Sequence, residues 1–182
     1  VVARVTLTEV ARLDVAAASG LVGAGGRLYV VADDELDLCV YDDAGRPLER
    51  VALFAGALDD AHAARKATKP DLEALAWLAP ELLLAVPSGS TPARHRGAAV
   101  RGLGAGAVRD VLPVDFAPLY AWLARELADL NLEGAAASGD RLLLLQRGNG
   151  AAGVNAVITL DRAAAHAAIV AREPLDPSLV RT

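Results

Sequence analysis

The chain contains no methionine, one cysteine, two lysines and few aromatic residues, 4% in all. Each shortage excludes something. A single cysteine, Cys39, rules out an internal disulfide and a cysteine-built metal centre. The two lysines, Lys66 and Lys69, belong to a total of 18 basic against 23 acidic residues, a net charge of −5. Such a field does not replace phosphate counterions, so no nucleic-acid surface is expected, and no patch for an anionic membrane. No apolar run approaches the ~20 residues that span a bilayer, and no signal peptide is visible. His62, His95 and His166 are far apart and lack metal-ligand spacing. A chain without methionine is expected to be a processed product, a trimmed form or a fragment. The hydrophobic share is 54%, but much of it is alanine, so the core must rest on Leu and Val.

What is present is a repeat. SGLVGAGGRLYVVADD from Ser19, EALAWLAPELLLAVPS from Glu73 and EGAAASGDRLLLLQRG from Glu133 align without a gap. In this alignment Leu28, Leu82 and Leu142 are equivalent, and each opens a short apolar run after a turn-like stretch. A run of about five apolar residues bounded by Gly, Pro, Ser or Asp reads as a buried strand. With the segment before the turn it forms a hairpin. Two further strands are expected in each copy: LDLCVYD and RPLERVALF, then GAAVRG and VRDVLPVDF, then NAVITLD and AAIVAREPL. Four antiparallel strands per repeat indicate a β-propeller blade. The expected fold is therefore all-β, one propeller domain over 1–182, with blades near 19–53, 71–116 and 131–176. A helical insertion is expected at 118–130 and a shorter one at 57–66. Closed propellers have about four to eight blades, so three make a partial ring. A small β-sandwich with helical insertions is the alternative.

The repeat also locates a site. In a hairpin, the start of the first strand lies beside the end of the second. Glu73 then neighbours Ser88 and Ser90, Glu133 neighbours Gln146, Arg147 and Asn149, and Ser19 neighbours Asp33 and Asp34. If these hairpins are innermost, the groups share one mouth of the channel. Lys66, Lys69 and Asp71 enter on the preceding loop, and Arg94, His95 and Arg96 leave on the following one. Two chemistries suit this mixture. Glu73, Glu133 and Asp33 are metal-ligand candidates. Lys69, Ser88, Ser90, Arg94, Arg96, Gln146, Arg147 and Asn149 are candidates for holding a small anionic ligand. Mutual pairing of the charges, merely closing the mouth, is the plainer outcome.

Other motifs fall short of a chemistry. Asp33–Asp37 lacks the glycine and distal glutamate of a calcium-binding EF-hand loop. PSGS at 87–90 is not the Gly-x-Ser-x-Gly elbow of a hydrolase. The glycine-rich stretches at 23–26 and 102–106 precede no clear helix, so neither reads as a phosphate loop.

KPDLEAL (69–75), AVPSGS (85–90), NLEGA (131–135) and LLQRGN (144–149) resemble an uncharacterised bacterial propeller family. That family is related to phytase-like and esterase-like propellers, in which an Asp-Leu-Glu-Gly start recurs. The resemblance runs from Ser19 to Leu160. It implies a five- or six-bladed propeller, with Glu73 and Glu133 lining the channel and contacting a metal, calcium first. This chain lacks the clustered aspartates of phytase-type propellers. The expected function is therefore binding of a small anionic ligand or a cation at the mouth. Metal-assisted hydrolysis of phosphate or carboxylic esters and a structural role in protein interaction are the alternatives.

Overall fold

Alternating turns and apolar runs build three antiparallel sheets in the computed structural model, which describes residues 5–103, 108–151 and 153–181. The first sheet holds β1 (Ala18–Ala24), β2 (Arg27–Ala32), β3 (Asp37–Asp42) and β4 (Pro47–Ala52), side by side in chain order. After α1 (His62–Thr68), the second sheet repeats the order with β5 (Leu72–Ala79), β6 (Leu82–Pro87), β7 (Arg96–Arg101) and β8 (Asp110–Asp115). Helix α2 (Ala117–Glu126) leads to the third sheet, β9 (Leu132–Ser138), β10 (Arg141–Gln146) and β11 (Ala156–Asp161), and α3 (Arg162–Ala171) follows. Strand β1 approaches β5, and β5 approaches β9. The first strand of each sheet is thus innermost, as in propeller blades. The chain is an arc of three such blades. No described helix is long and apolar enough to cross a membrane.

The turns explain the hairpins. Gly25 and Gly26 both have positive φ (57° and 72°), the requirement of a two-residue turn whose twist matches the strands. At the β3–β4 turn, the Asp42 carboxylate accepts hydrogen bonds from the Ala44 and Arg46 amides.

The expected fourth strand of the third blade, AAIVAREPL, is instead mostly α3. Its alanine-rich sequence favours helix. Asp161 caps the start by accepting a hydrogen bond from the Ala164 amide at 2.8 Å, and Arg172 ends it in the left-handed conformation. Ala165 and Ile169 then bury against the sheets. The insertion expected at 118–130 forms α2, which buries Leu119, Tyr120 and Leu123 and stops at Glu126, before the Asn131 stop. The insertion expected at 57–66 forms α1, shifted towards the C-terminus. Most of the glycine-rich stretch at 102–106 lies outside the described residues.

Strand pairing corrects the gapless repeat by one residue. At one end of the hairpins the pairs are Ala18–Ala32, Leu72–Pro87 and Leu132–Gln146. At the turn they are Ala24–Arg27, Ala79–Leu82 and Ser138–Arg141. Leu82 therefore corresponds to Arg27 and Arg141, not to Leu28 and Leu142. The cause is an extra residue in β5, where the ladder skips Leu78 between Trp77 and Ala79.

Two apolar layers glue the blades together. Tyr29, Val31 and Val40 of the first blade pack against Leu75, Leu83 and Ala85 of the second. The opposite face of the second blade, with Ala76, Leu84 and Val86, packs against Leu142, Leu144 and Ile158 of the third, beneath α2 and α3. Close approach of the inner strands needs a missing side chain. A Cβ on Gly20 would lie 2.9 Å from Val31 Cγ2 and 3.0 Å from the Ala74 backbone. Gly20→Ala should therefore cost about 1–3 kcal/mol of stability by overpacking. Gly23→Ala, whose nearest atoms would be 3.8 Å away, should stay within about 0.5 kcal/mol of the parent or gain slightly. Urea unfolding of the two variants checks the contrast.

Candidate functional site

Beyond the register correction, the hairpins share a second irregularity. Each first strand carries one unpaired residue next to its opening pair. The ladder skips Ser19 in β1, Glu73 in β5 and Glu133 in β9. A bulge re-aims its side chain. The three blades repeat the device at the same end, and a cleft of about 560 Å³ lies there, lined by Glu73 and Glu133 together with residues of the surrounding loops.

One ammonium organises the acidic side of this cleft. Lys69 is buried, and its Nζ lies 2.6 Å from Asp33, 3.0 Å from Asp34 and 3.1 Å from Asp71. Burial alone would lower the lysine pKa, but its hydrogen bonds to the three carboxylates outweigh that and raise it. Asp34 is correspondingly held below the usual carboxylate range, chiefly by its hydrogen bond from Lys69. Asp71 has a left-handed backbone (φ 57°), a conformation Asp tolerates better than most residues. Its side chain is buried between partners: Ser88 donates to it at 2.6 Å, and Arg94 pairs with it at 2.8 Å. Arg94 also donates to Ser90 at 2.7 Å.

A second group forms around the third bulge. Asn131 donates to Glu133 at 2.6 Å, and Arg147 pairs with it at 2.9 Å. Beneath them the buried Gln146 accepts from the Asn131 amide and donates to the Asp129 carbonyl. A backbone bond from the Leu132 amide to the Ser88 carbonyl, 2.7 Å long, joins the two groups across the blades.

Glu73 sits between these groups and differs from its neighbours. Among the described residues, no Lys, Arg or His nitrogen lies within 4.0 Å of its carboxylate. Burial pushes its pKa up to about 7, with the negative charges of Glu133, Asp71 and Asp33 adding to the effect and the Ser19 hydroxyl opposing it. Carboxylate oxygens of Asp33, Asp71 and Glu73 lie within 4.8 Å of one another. Asp33 Oδ1 is buried with no hydrogen-bond partner among the described residues.

The sequence-predicted residues divide as follows. The cleft brings together Asp33, Lys69, Glu73, Ser90, Arg94, Glu133, Arg147 and Asn149. Ser88 and Gln146 stand behind its wall, buried, where they hold Asp71 and Asn131 in place. Arg96 does not join them. It opens β7, the third strand from the channel, and borders separate grooves beside Phe54 and Pro113. Asp71 was expected at the mouth but without the central part it takes, and the contributions of His62, Arg65 and Asp129 to the lining were missed. The signal available for Asp71 was its place between Pro70 and the strand start.

Over residues 14–182 the chain matches the family of unknown function DUF6929, and it belongs to that family. No curated protein matches it. Among solved structures, it is similar to the computationally designed Ika8 protein at 14% identity and a TM-score of 0.42, over 84% of this chain and 36% of that one. A chain of the nidogen/laminin complex matches at 17% identity and a TM-score of 0.39, over 77% and 40%. The computationally designed Ika4 protein matches at 12% identity and a TM-score of 0.35, over 84% and 98%. The chain thus spans well under half of the first two.

Two predictions follow from the charges. Lys69→Met leaves Asp33 and Asp34 without their cation and Asp71 with Arg94 alone, and should cost about 3–5 kcal/mol, measured by denaturant unfolding. Glu73 binds its proton more tightly folded than unfolded, so its contribution to stability is complete below the ordinary value of 4.5 and is lost as pH rises towards about 7. Glu73→Gln should remove that loss, and melting temperatures on either side of the window should show the variant overtaking the parent only at the higher pH.

Proposed function

We propose that the chain is a binding module without turnover, whose channel mouth takes a small ligand through a positive charge placed at Glu73. Among the described residues no cationic side chain lies within 4.0 Å of that half-buried carboxylate, and this observation carries the proposal. Lining the cleft are six carboxylates, Asp33, Asp34, Asp71, Glu73, Asp129 and Glu133, and five cationic side chains, Arg65, Lys66, Lys69, Arg94 and Arg147. Lys69, Arg94 and Arg147 are committed to Asp33, Asp34, Asp71 and Glu133. The positive charge the cleft lacks is at Glu73, and a bound cation would supply it. A calcium ion fits this chemistry, since it accepts about six to eight oxygen ligands in flexible geometry. Glu73, Glu133 and the unpartnered Asp33 Oδ1 would contribute, with water completing the shell. Lys69 already fills the space among Asp33, Asp34 and Asp71, which favours one cation over several.

A small anion on Arg65, Lys66 and Arg147 is the competing ligand. Hydrolysis of phosphate or carboxylic esters, which the phytase-like resemblance suggests, would add to a bound cation the charge stabilisation offered by Arg94 and Arg147. Calorimetric titration distinguishes these. Calcium chloride should give a saturable heat at about pH 8, a much weaker one at about pH 5.5 where Glu73 is protonated, and none with Glu73→Gln. No calcium heat at the higher pH would sink the cation proposal. A heat with inorganic phosphate that survives Glu73→Gln would establish the anion instead. Product release from phosphate or acyl esters, abolished by Glu73→Gln, would show turnover.

A further inference from the structure

A second concavity opens on the same side of the blades as the mouth, further from the channel. Strand β4 ends on this side and runs on into Leu53–Ala55. Strand β7 starts there at Arg96 and β8 ends there at Asp115, and these two residues pair in the ladder. The chain returns to the same place after α3, where the Leu175 amide donates to the Asp115 carbonyl at 2.8 Å. These segments bound a groove of about 610 Å³. Phe54, Ala55 and Arg96 also line an adjoining hollow of about 340 Å³, which continues the groove towards Leu58 and Pro70. Both lie between the first two blades, within the arc, and share no lining residue with the mouth.

The two parts differ in character. The larger one is bordered by two guanidiniums, Arg96 and Arg172, both on exposed residues. Among the described residues, neither has a carboxylate within 4.0 Å or a side-chain hydrogen bond. Asp115 and Glu173 border the same part, and the Asp115 carboxylate is engaged by the Ala117 amide at 2.8 Å. Arg172 stands at the left-handed cap of α3 (φ 59°), a position where glycine carries the least steric cost. That position holds instead a side chain that lines the groove. The hollow is the apolar part. Apart from Thr68 and Arg96 its lining is apolar, and Leu36, Phe54 and Leu58 are half-buried there.

We infer that this groove binds a small amphiphilic carboxylate, with its head group at Arg96 and Arg172 and its apolar chain in the hollow beside Phe54, Leu58 and Pro70. The planar fork of a guanidinium matches the two oxygens of a carboxylate. Ion pairs at exposed sites are weak, so the head group orients the ligand and burial of the chain supplies most of the affinity. Two requirements follow, a negative head and an apolar chain. A medium-chain fatty acid meets both. The inference uses no residue of the mouth, so it stands or falls separately from cation binding at Glu73.

Calorimetric titration of the 182-residue chain with sodium octanoate, below its micelle-forming concentration, tests it. A saturable heat is expected. From butanoate through hexanoate to octanoate, affinity should rise about two- to fourfold per methylene as each is buried. Octanol, with the chain but not the charge, should bind more weakly than octanoate. Arg96→Gln and Arg172→Gly should each weaken octanoate about two- to fivefold, and the double variant more than either. Glycine favours the backbone at residue 172, so that variant should melt no lower than the parent. No octanoate heat overturns the proposal. So does affinity that ignores chain length, octanol binding as tightly as octanoate, or a double variant that binds octanoate as the parent does.

Discussion

The ion cluster at Lys69 couples the blades at the point where function would reside. Asp33 and Asp34 end the inner hairpin of the first blade, while Lys69 and Asp71 lie on the loop entering the second. One ammonium bonded to three carboxylates therefore sets the spacing between two hairpins that share no ladder. Buried charges of this kind contribute modest net stability, because desolvation offsets attraction. Their effect is directional: once Lys69 is held, Asp71 is held, and through Ser88 and Arg94 so is the loop beyond β6.

That arrangement leaves Glu73 as the odd group. Its acidic neighbours have taken Lys69, Arg94 and Arg147, and its bulge keeps it from pairing within the sheet. A carboxyl that is half-buried and flanked by other carboxylates is neutral or in need of a cation, depending on pH. The same repeated bulge places Glu133 nearby, but Arg147 and Asn131 satisfy it. Equivalent positions in one repeat have acquired different electrostatic states through the loops that surround them.

Packing and charge work at different radii. Between the inner strands of neighbouring blades the contacts are apolar and use small residues, as where Gly20 meets the Ala74 backbone, while Glu49 and Arg109 pair between the outer strands of the first two blades. At the mouth they are ionic.

Much of this architecture was legible in the residues. Apolar runs such as LYVVA and LLLAV, punctuated by GAGG and DDAG, determined the strands and hairpins, because strand periodicity and turn chemistry are local. The meeting of Lys69, Glu73, Ser90 and Arg147 at one mouth followed from hairpin geometry. Only the tertiary structure decided the rest. AAIVAREPL has the apolar content of a strand, yet an Asp161 cap and a buried Ile169 make most of it helix. Leu82 shifts by one position because Leu78 is an extra residue, which the pattern alone does not mark. Arg96, adjacent in sequence to the mouth, lies two strands from the channel. The charge of Glu73 depends on which distant cations are already engaged, a question of contacts across three blades rather than of spacing along the chain.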